Sequence, residues 1–136
     1  MLPLIVQLAA TAVAAFFVSW RDAARIGMAV LFVFTGAAHF SKLKHDMAAM
    51  IPPPLTGALW VIYVTGVFEV AGAVGLLVPA VQRLAAWCLV ALLVAMFPAN
   101  VYAALRDVKL GGRRATPLLF RAPLQLWWIG VLIWAM

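Results

Sequence analysis

The sequence predicts an all-α membrane protein with five transmembrane helices, on the basis of its composition, its apolar runs and the placement of its basic residues. Of the 136 residues, 68% are hydrophobic and 10% are charged, and the mean hydropathy is +1.11. A soluble domain of this length could not bury so much apolar surface, so we expect lipid to be its solvent. The length allows a single domain, residues 1–136, embedded in the bilayer.

Five apolar runs are candidates for the helices. A helix needs about 20 residues to cross the hydrocarbon of a bilayer, and fewer where basic side chains flank it. The first run lacks the basic residues that begin a signal peptide, so we interpret it as a retained helix. The predicted spans are residues 2–20, 25–40, 55–78, 84–105 and 118–136.

The basic residues predict the orientation. Lys and Arg accumulate in cytoplasmic loops, so the richer side is expected to be cytoplasmic, with the N-terminus inside and the C-terminus outside. The net charge of +6 is then explained by topology and anionic lipid head groups, not by nucleic acid. One side has Arg21, Arg25 and Arg83, and the other has Lys42, Lys44, Arg106, Lys109, Arg113, Arg114 and Arg121.

Glu69 stands out in the third span, because no other charge occurs between Leu55 and Gln82. A carboxylate that faces acyl chains is costly, so we expect Glu69 to face protein or a cavity. Arg25, in the second span, falls at a similar depth in the outer half of the membrane. We therefore predict a buried ion pair between Arg25 and Glu69, with a ligand or proton site as the open alternative.

A second group of polar side chains falls in the cytoplasmic half of the predicted bundle. Pro98 frees a backbone carbonyl beside them. Each residue alone has a structural explanation, such as an interfacial polar group or a topology anchor. Their common depth nevertheless favours a ligand-binding pocket that opens to the cytoplasm. Its predicted members are His39, Tyr63, Asn100, Tyr102, Arg121 and Gln125.

Other chemistry has little support in the sequence, and no catalytic residue is identified. A lone cysteine, Cys88, excludes an internal disulfide. His39 and His45 have no cysteine or carboxylate cluster beside them, so we expect no metal site. The segments VFTGAAHF (33–40) and YVTGVFEV (63–70) share a Thr-Gly-x-x-polar pattern. Chance and a common packing solution both explain this similarity.

Six segments cover most of residues 25–130 in order: RIGMAVLFVFTGAAHF, MIPPP, YVTGVFEVAGAVGLLVP, RLAAW, FPANVYAAL and RAPLQ. Together they resemble the DoxX-like family of small integral membrane proteins. The resemblance implies a four-helix DoxX-like bundle, here helices 2–5, with an additional N-terminal helix in a bacterial cytoplasmic membrane. It also implies that Arg25, Glu69, Asn100 and Gln125 match recurring family positions.

The resemblance and the polar pocket together imply a redox-linked accessory subunit that binds a quinone or a similar small molecule. A soluble or membrane redox partner would then dock on the basic loop at 106–117. The first alternative is a non-catalytic membrane anchor or assembly factor. The second is a small proton-coupled transporter, which would have to form a homo-oligomer. Whether the protein is an enzyme stays open.

Overall fold

The computed structural model describes residues 1–136 and is helical over most of its length. The only strands form a two-stranded antiparallel hairpin, in which Lys109 pairs with Arg114 and Leu110 pairs with Arg113. In chain order the elements are α1 (Leu2–Ala14), α2 (Trp20–Ala38), α3 (Lys44–Ala49), α4 (Leu59–Leu76), α5 (Gln82–Leu105), β1 (Lys109–Leu110), β2 (Arg113–Arg114) and α6 (Leu118–Trp134).

Helix α2 is the centre of the fold, because it contacts α1, α4 and α6. Helix α4 packs against α5, and α5 packs against α6, so these three helices and α2 form a four-helix bundle. Helix α1 lies against α2, where Gly27 leaves room for Thr11 and the carbonyl group of Gln7. The bundle core consists of Met28, Ala29, Leu31, Phe32, Ala73, Leu76, Ala85, Ala86, Leu89, Leu93 and Leu132.

The boundary between the first two helices differs from the predicted one. Helix α1 ends at Ala14, and α2 begins at Trp20 instead of residue 25. Ser19 explains the early start, because its side-chain oxygen accepts a hydrogen bond from the Asp22 backbone N–H and caps α2. Arg25 therefore lies inside α2 and not at its first residue.

The two loops on the basic side contain short elements that the sequence did not predict. Helix α3 occupies the first loop, and the β1–β2 hairpin occupies the second, the basic loop at 106–117. Gly111 and Gly112 form the hairpin turn with φ values of +60° and +77°, a region that favours glycine. The Gly111 N–H donates to Asp46 Oδ2 over 2.9 Å, which attaches the hairpin to α3. The basic end of the bundle therefore has a structured cover.

Two helices, α4 and α5, are long and apolar enough for each to cross a membrane, judged by length and composition. Helices α1 and α6 are apolar but shorter. The structure thus supports the predicted all-α class and two candidate membrane spans, whereas five transmembrane helices are more than it shows.

Candidate functional site

Helices α2 and α4 cross at two glycines. A Cβ atom on Gly36 would lie 2.8 Å from Val70 Cγ2, and a Cβ atom on Gly66 would lie 2.6 Å from His39 Cβ. Both distances are too short for a methyl group, so the glycines allow the two backbones to approach closely. The two Thr-Gly-x-x-polar segments meet at this crossing, which favours a common packing solution as the reason for their similarity.

A cluster of three polar side chains, Thr35, His39 and Glu69, lies beside this crossing. Thr35 Oγ1 lies 2.6 Å from Glu69 Oε2 and 3.1 Å from the Leu31 carbonyl oxygen. His39 Nδ1 lies 2.9 Å from the Thr35 carbonyl oxygen and 4.0 Å from Glu69 Oε2. Because a carbonyl oxygen only accepts hydrogen bonds, Nδ1 must be the donor, and Nε2 of the neutral ring is then an acceptor.

The cluster is compatible with both protonation states of Glu69. The Thr35 hydroxyl has one hydrogen and two acceptors within reach, Glu69 Oε2 and the Leu31 carbonyl oxygen. An ionised Glu69 accepts that hydrogen. A protonated Glu69 can instead donate to Thr35 Oγ1, which then donates to Leu31. The exchange between the two arrangements requires no movement of a heavy atom.

The cluster lies in the wall of a cavity of about 700 Å³. This volume is within the range of roughly 300–1,000 Å³ that is usual for small-molecule sites. Its polar lining residues are Thr35, His39, Glu69, Asn100, Arg113, Arg114, Thr116, Arg121 and Gln125. Its apolar wall includes Leu31, Phe32, Leu93, Met96, Leu124 and Trp128, and the start of α1 completes one edge.

The end of the cavity near the hairpin is basic. Arg121, in the first turn of α6, is partly buried, and its Nη1 donates to Asn100 Oδ1 over 2.7 Å. Arg121 forms no ion pair with a carboxylate of the protein. The close pairs of oppositely charged groups in the structure all join other residues. Arg113 and Arg114 lie at the same end, and Arg114 Nη2 is 3.4 Å from Asp107 Oδ2. Three arginines and one glutamate line the cavity, so its wall is electropositive.

Helix α6 also contributes polar groups further along the cavity. Gln125 Nε2 donates to the Leu93 carbonyl oxygen over 2.6 Å, which joins α6 to α5. The indole N–H of Trp128 is buried and has no partner in the protein. A buried donor without an acceptor is costly. Trp128 itself lines the cavity, and its N–H group is covered by protein atoms.

The structure places four of the six predicted pocket residues in the cavity wall: His39, Asn100, Arg121 and Gln125. The two tyrosines lie outside it. Tyr63 stacks on Phe40 with ring centroids 5.8 Å apart, and Lys44 Nζ lies 5.6 Å from the Tyr63 centroid. Tyr102 packs beneath the Arg106 guanidinium at 5.8 Å. Ligand binding by the four cavity residues stays a prediction.

The predicted ion pair between Arg25 and Glu69 does not form. Arg25 Nη2 instead pairs with Asp22 Oδ1, and Arg25 Nη1 donates to Gln82 Oε1. Glu69 meets Thr35, which is ten residues beyond Arg25 along α2, a distance of about 15 Å. Counting the depths of Arg25 and Glu69 in the membrane predicted the wrong partner, because the two helices cross near the C-terminal end of α2.

Thr35 and Trp128 belong to the site but were missing from the predicted pocket. Thr35 precedes His39 by four positions, and Trp128 follows Gln125 by three, so each shares a helix face with a predicted residue. Helical spacing was therefore the available signal for both. Arg113 and Arg114 were assigned to a partner-binding loop, because the sequence gives no sign that the hairpin folds over the bundle.

The donor set of the cavity suits an organic head group better than a metal ion. No group of three or more His, Cys, Asp or Glu side chains could hold a metal. The amide, hydroxyl, imidazole and guanidinium groups can instead orient a polar head group by hydrogen bonding.

A family model described as Domain of unknown function (DUF8561) matches residues 28–136. The match includes every polar residue of the cavity wall. No curated protein and no solved structure matches the chain. Because the matching family is not DoxX, the expected DoxX-like membership was wrong. The six segments that carried the resemblance consist mainly of small and apolar residues. Such residues are common at the interfaces of membrane helices in general, so they do not distinguish one family from another.

Proposed function

Because the chain belongs to the DUF8561 family, whose function is unknown, we propose a function from the site itself. We propose an integral membrane protein that binds an amphipathic small molecule in the cavity. The observation that carries this proposal is a cavity of about 700 Å³ with an apolar wall and several polar groups.

The exposed apolar surface supports placement in lipid. Phe16 and Phe17 are 86% and 83% exposed, and large apolar side chains on all five long helices are exposed as well. So many large apolar side chains exposed on every long helix indicate contact with lipid or another protein. We propose that α1, α2 and α6 cross the bilayer together with α4 and α5. Helix α1 is about 20 Å long, shorter than the hydrocarbon core of about 30 Å, so its crossing would require local thinning of the bilayer, with Phe16, Phe17 and Trp20 near the outer interface.

The basic end of the bundle supports the proposed orientation. The loops that contain α3 and the hairpin lie there, and they hold six of the ten Lys and Arg residues. By the positive-inside rule this end is cytoplasmic, with the N-terminus inside and the C-terminus outside. The basic end of the cavity would then be on the cytoplasmic side.

The redox assignment is not carried into this proposal, since it depended on the overturned resemblance to DoxX as well as on the predicted pocket. A quinone stays one candidate occupant, because its carbonyl oxygens could accept hydrogen bonds from Arg121. A partner protein on the 106–117 segment also stays a prediction. A proton-coupled exporter of hydrophobic cations is disfavoured, because three arginines line the cavity. An anchor or assembly factor would need no cavity.

Native mass spectrometry of the gently purified protein, followed by extraction and identification of bound molecules, tests the proposal. Ala115 lines the cavity outside the long helices, so the bulky side chain of Ala115→Trp should obstruct the end of the cavity near the hairpin. Gly130→Trp is the matched control, because a Cβ atom on Gly130 meets nothing within 4 Å. We expect a bound small molecule in the natural protein and in Gly130→Trp, and its loss in Ala115→Trp.

Two results would contradict ligand binding in the cavity. One is the same bound molecules, in the same amounts, in both tryptophan variants. The other is a protein that carries no small molecule but retains a stable partner protein, which would support the anchor or assembly role. An identified quinone would restore the redox hypothesis on direct evidence.

A further inference from the structure

We propose that the occupant of the cavity is an acidic amphiphile, a molecule with an apolar chain and a carboxylate or phosphate head group. This inference rests on the proposed function and adds the chemical class of the ligand. Its starting point is Arg121, a guanidinium that is partly buried and has no carboxylate partner in the protein.

The unpaired state of Arg121 favours an anion. Arg121 Nη1 donates to the neutral Asn100 Oδ1 over 2.7 Å, and its other N–H groups have no side-chain acceptor. A guanidinium that is partly removed from water is stabilised by a counter-charge, and the unbonded N–H groups of Arg121 are accessible to one. A carboxylate or phosphate matches the planar fork of a guanidinium and would supply that counter-charge.

The rest of the cavity wall fixes the orientation of the ligand. Arg113 and Arg114 lie at the same end as Arg121, so the head group would be held between α6 and the hairpin. Leu31, Phe32 and Leu93 lie further inside, where an apolar chain would extend. The one carboxylate of the wall, Glu69, is bonded to Thr35 within the bundle, away from this basic end.

Binding of matched probes to the purified full-length protein in nanodiscs tests this assignment. Dodecanoate and dodecyl phosphate carry acidic heads, dodecanol is neutral, dodecyltrimethylammonium is a cation, and inorganic phosphate lacks the chain. We expect the two acidic probes to bind at least about tenfold more tightly than dodecanol, since charge-assisted hydrogen bonds are the stronger class. The cation and inorganic phosphate should bind weakest.

Charge-matched variants locate the head group. Arg121→Gln should reduce the affinity for dodecanoate by about tenfold and the affinity for dodecanol by much less. Arg106→Gln removes the same charge from an exposed residue outside the cavity and should change neither affinity. If Arg121→Gln does not fold, the paired change Arg113→Gln and Arg114→Gln replaces it, because both side chains are exposed and belong to the short hairpin.

The outcomes separate the two proposals. Equal affinity for dodecanoate and dodecanol, with both lost in Ala115→Trp, would overturn the acidic class and leave ligand binding in place. Tight binding of inorganic phosphate alone would overturn the amphiphile and indicate a simple anion site. Binding of no probe, together with unchanged co-purified molecules in Ala115→Trp, would overturn both proposals.

Discussion

Thr35 Oγ1 and Glu69 Oε2 lie 2.6 Å apart, which links α2 to α4 at the wall of the cavity. The link lies beside the close contact of Gly36 and Gly66, and both Thr-Gly pairs belong to the repeated sequence pattern. The same crossing therefore sets the packing of the two helices and the polar part of the cavity.

The hydrogen bond across the crossing should contribute to stability. Thr35→Val removes a hydroxyl that reaches Glu69, whereas Thr65→Val removes one that bonds only to carbonyl groups of its own helix. We expect Thr35→Val to lower the free energy of unfolding by about 0.5–2 kcal/mol more than Thr65→Val. Thermal midpoints in detergent measure the difference. Equal midpoints for these two partly buried threonines would show that the contact does not stabilise the fold.

The close approach of α2 and α4 should make Gly66 intolerant of a side chain. A methyl group there would meet His39 Cβ at 2.6 Å and Phe40 Cε2 at 3.0 Å. Gly66→Ala should destabilise the protein by about 1–3 kcal/mol, since the two helices must separate. Gly130→Ala meets no atom and should be neutral or stabilise α6 by up to about 1 kcal/mol. A Gly66→Ala variant as stable as Gly130→Ala would contradict the crossing.

Double-mutant cycles should separate the observed partner of Arg25 from the one that the sequence predicted. Arg25 bonds to Gln82, so Arg25→Met and Gln82→Leu should show a coupling energy of about 0.5–3 kcal/mol. Arg25→Met and Glu69→Gln should be additive within about 0.5 kcal/mol, because these residues do not meet. Unfolding free energies measured in one detergent provide both cycles. A larger coupling between Arg25 and Glu69 than between Arg25 and Gln82 would restore the ion pair.

The proposed orientation predicts opposite accessibility at the two ends of the bundle. In a Cys88→Ser background, Lys42→Cys places a thiol in the loop before α3, and Arg83→Cys places one at the start of α5. A membrane-impermeant maleimide should label the first from the cytoplasmic side and the second from the outer side, because both positions are exposed. Labelling of intact and inverted vesicles tests this. Labelling of both from one side would contradict the five-helix arrangement.

The sequence predicted the all-α class because so apolar a chain needs helices to satisfy its backbone in lipid. It placed His39, Asn100, Arg121 and Gln125 at a common depth, and these four residues line one cavity. The depth of a residue in the membrane can be estimated by counting residues from the end of its helix. This explains why the predicted common depth of the four residues agrees with the structure.

The direction in which each side chain points depends on how the helices cross, and the sequence did not provide that. Tyr63 has a suitable depth but turns toward Phe40 and Lys44. Glu69 faces Thr35 instead of Arg25, because the α2–α4 crossing lies near the C-terminal end of α2. The hairpin was missed because two strands of two residues leave no hydrophobic periodicity.

The indole signal of Trp128 offers the most direct test of ligand binding in the cavity, because this residue lines the wall. With ¹⁵N-labelled tryptophan in nanodiscs, Trp128→Phe assigns its NMR signal among those of the six tryptophans. Trp87, which is 55% exposed on α5, serves as the internal control. We predict that dodecanoate or dodecanol shifts the Trp128 signal and leaves that of Trp87 unchanged. A Trp128 signal that neither probe moves would contradict the proposal that this cavity binds an amphipathic molecule.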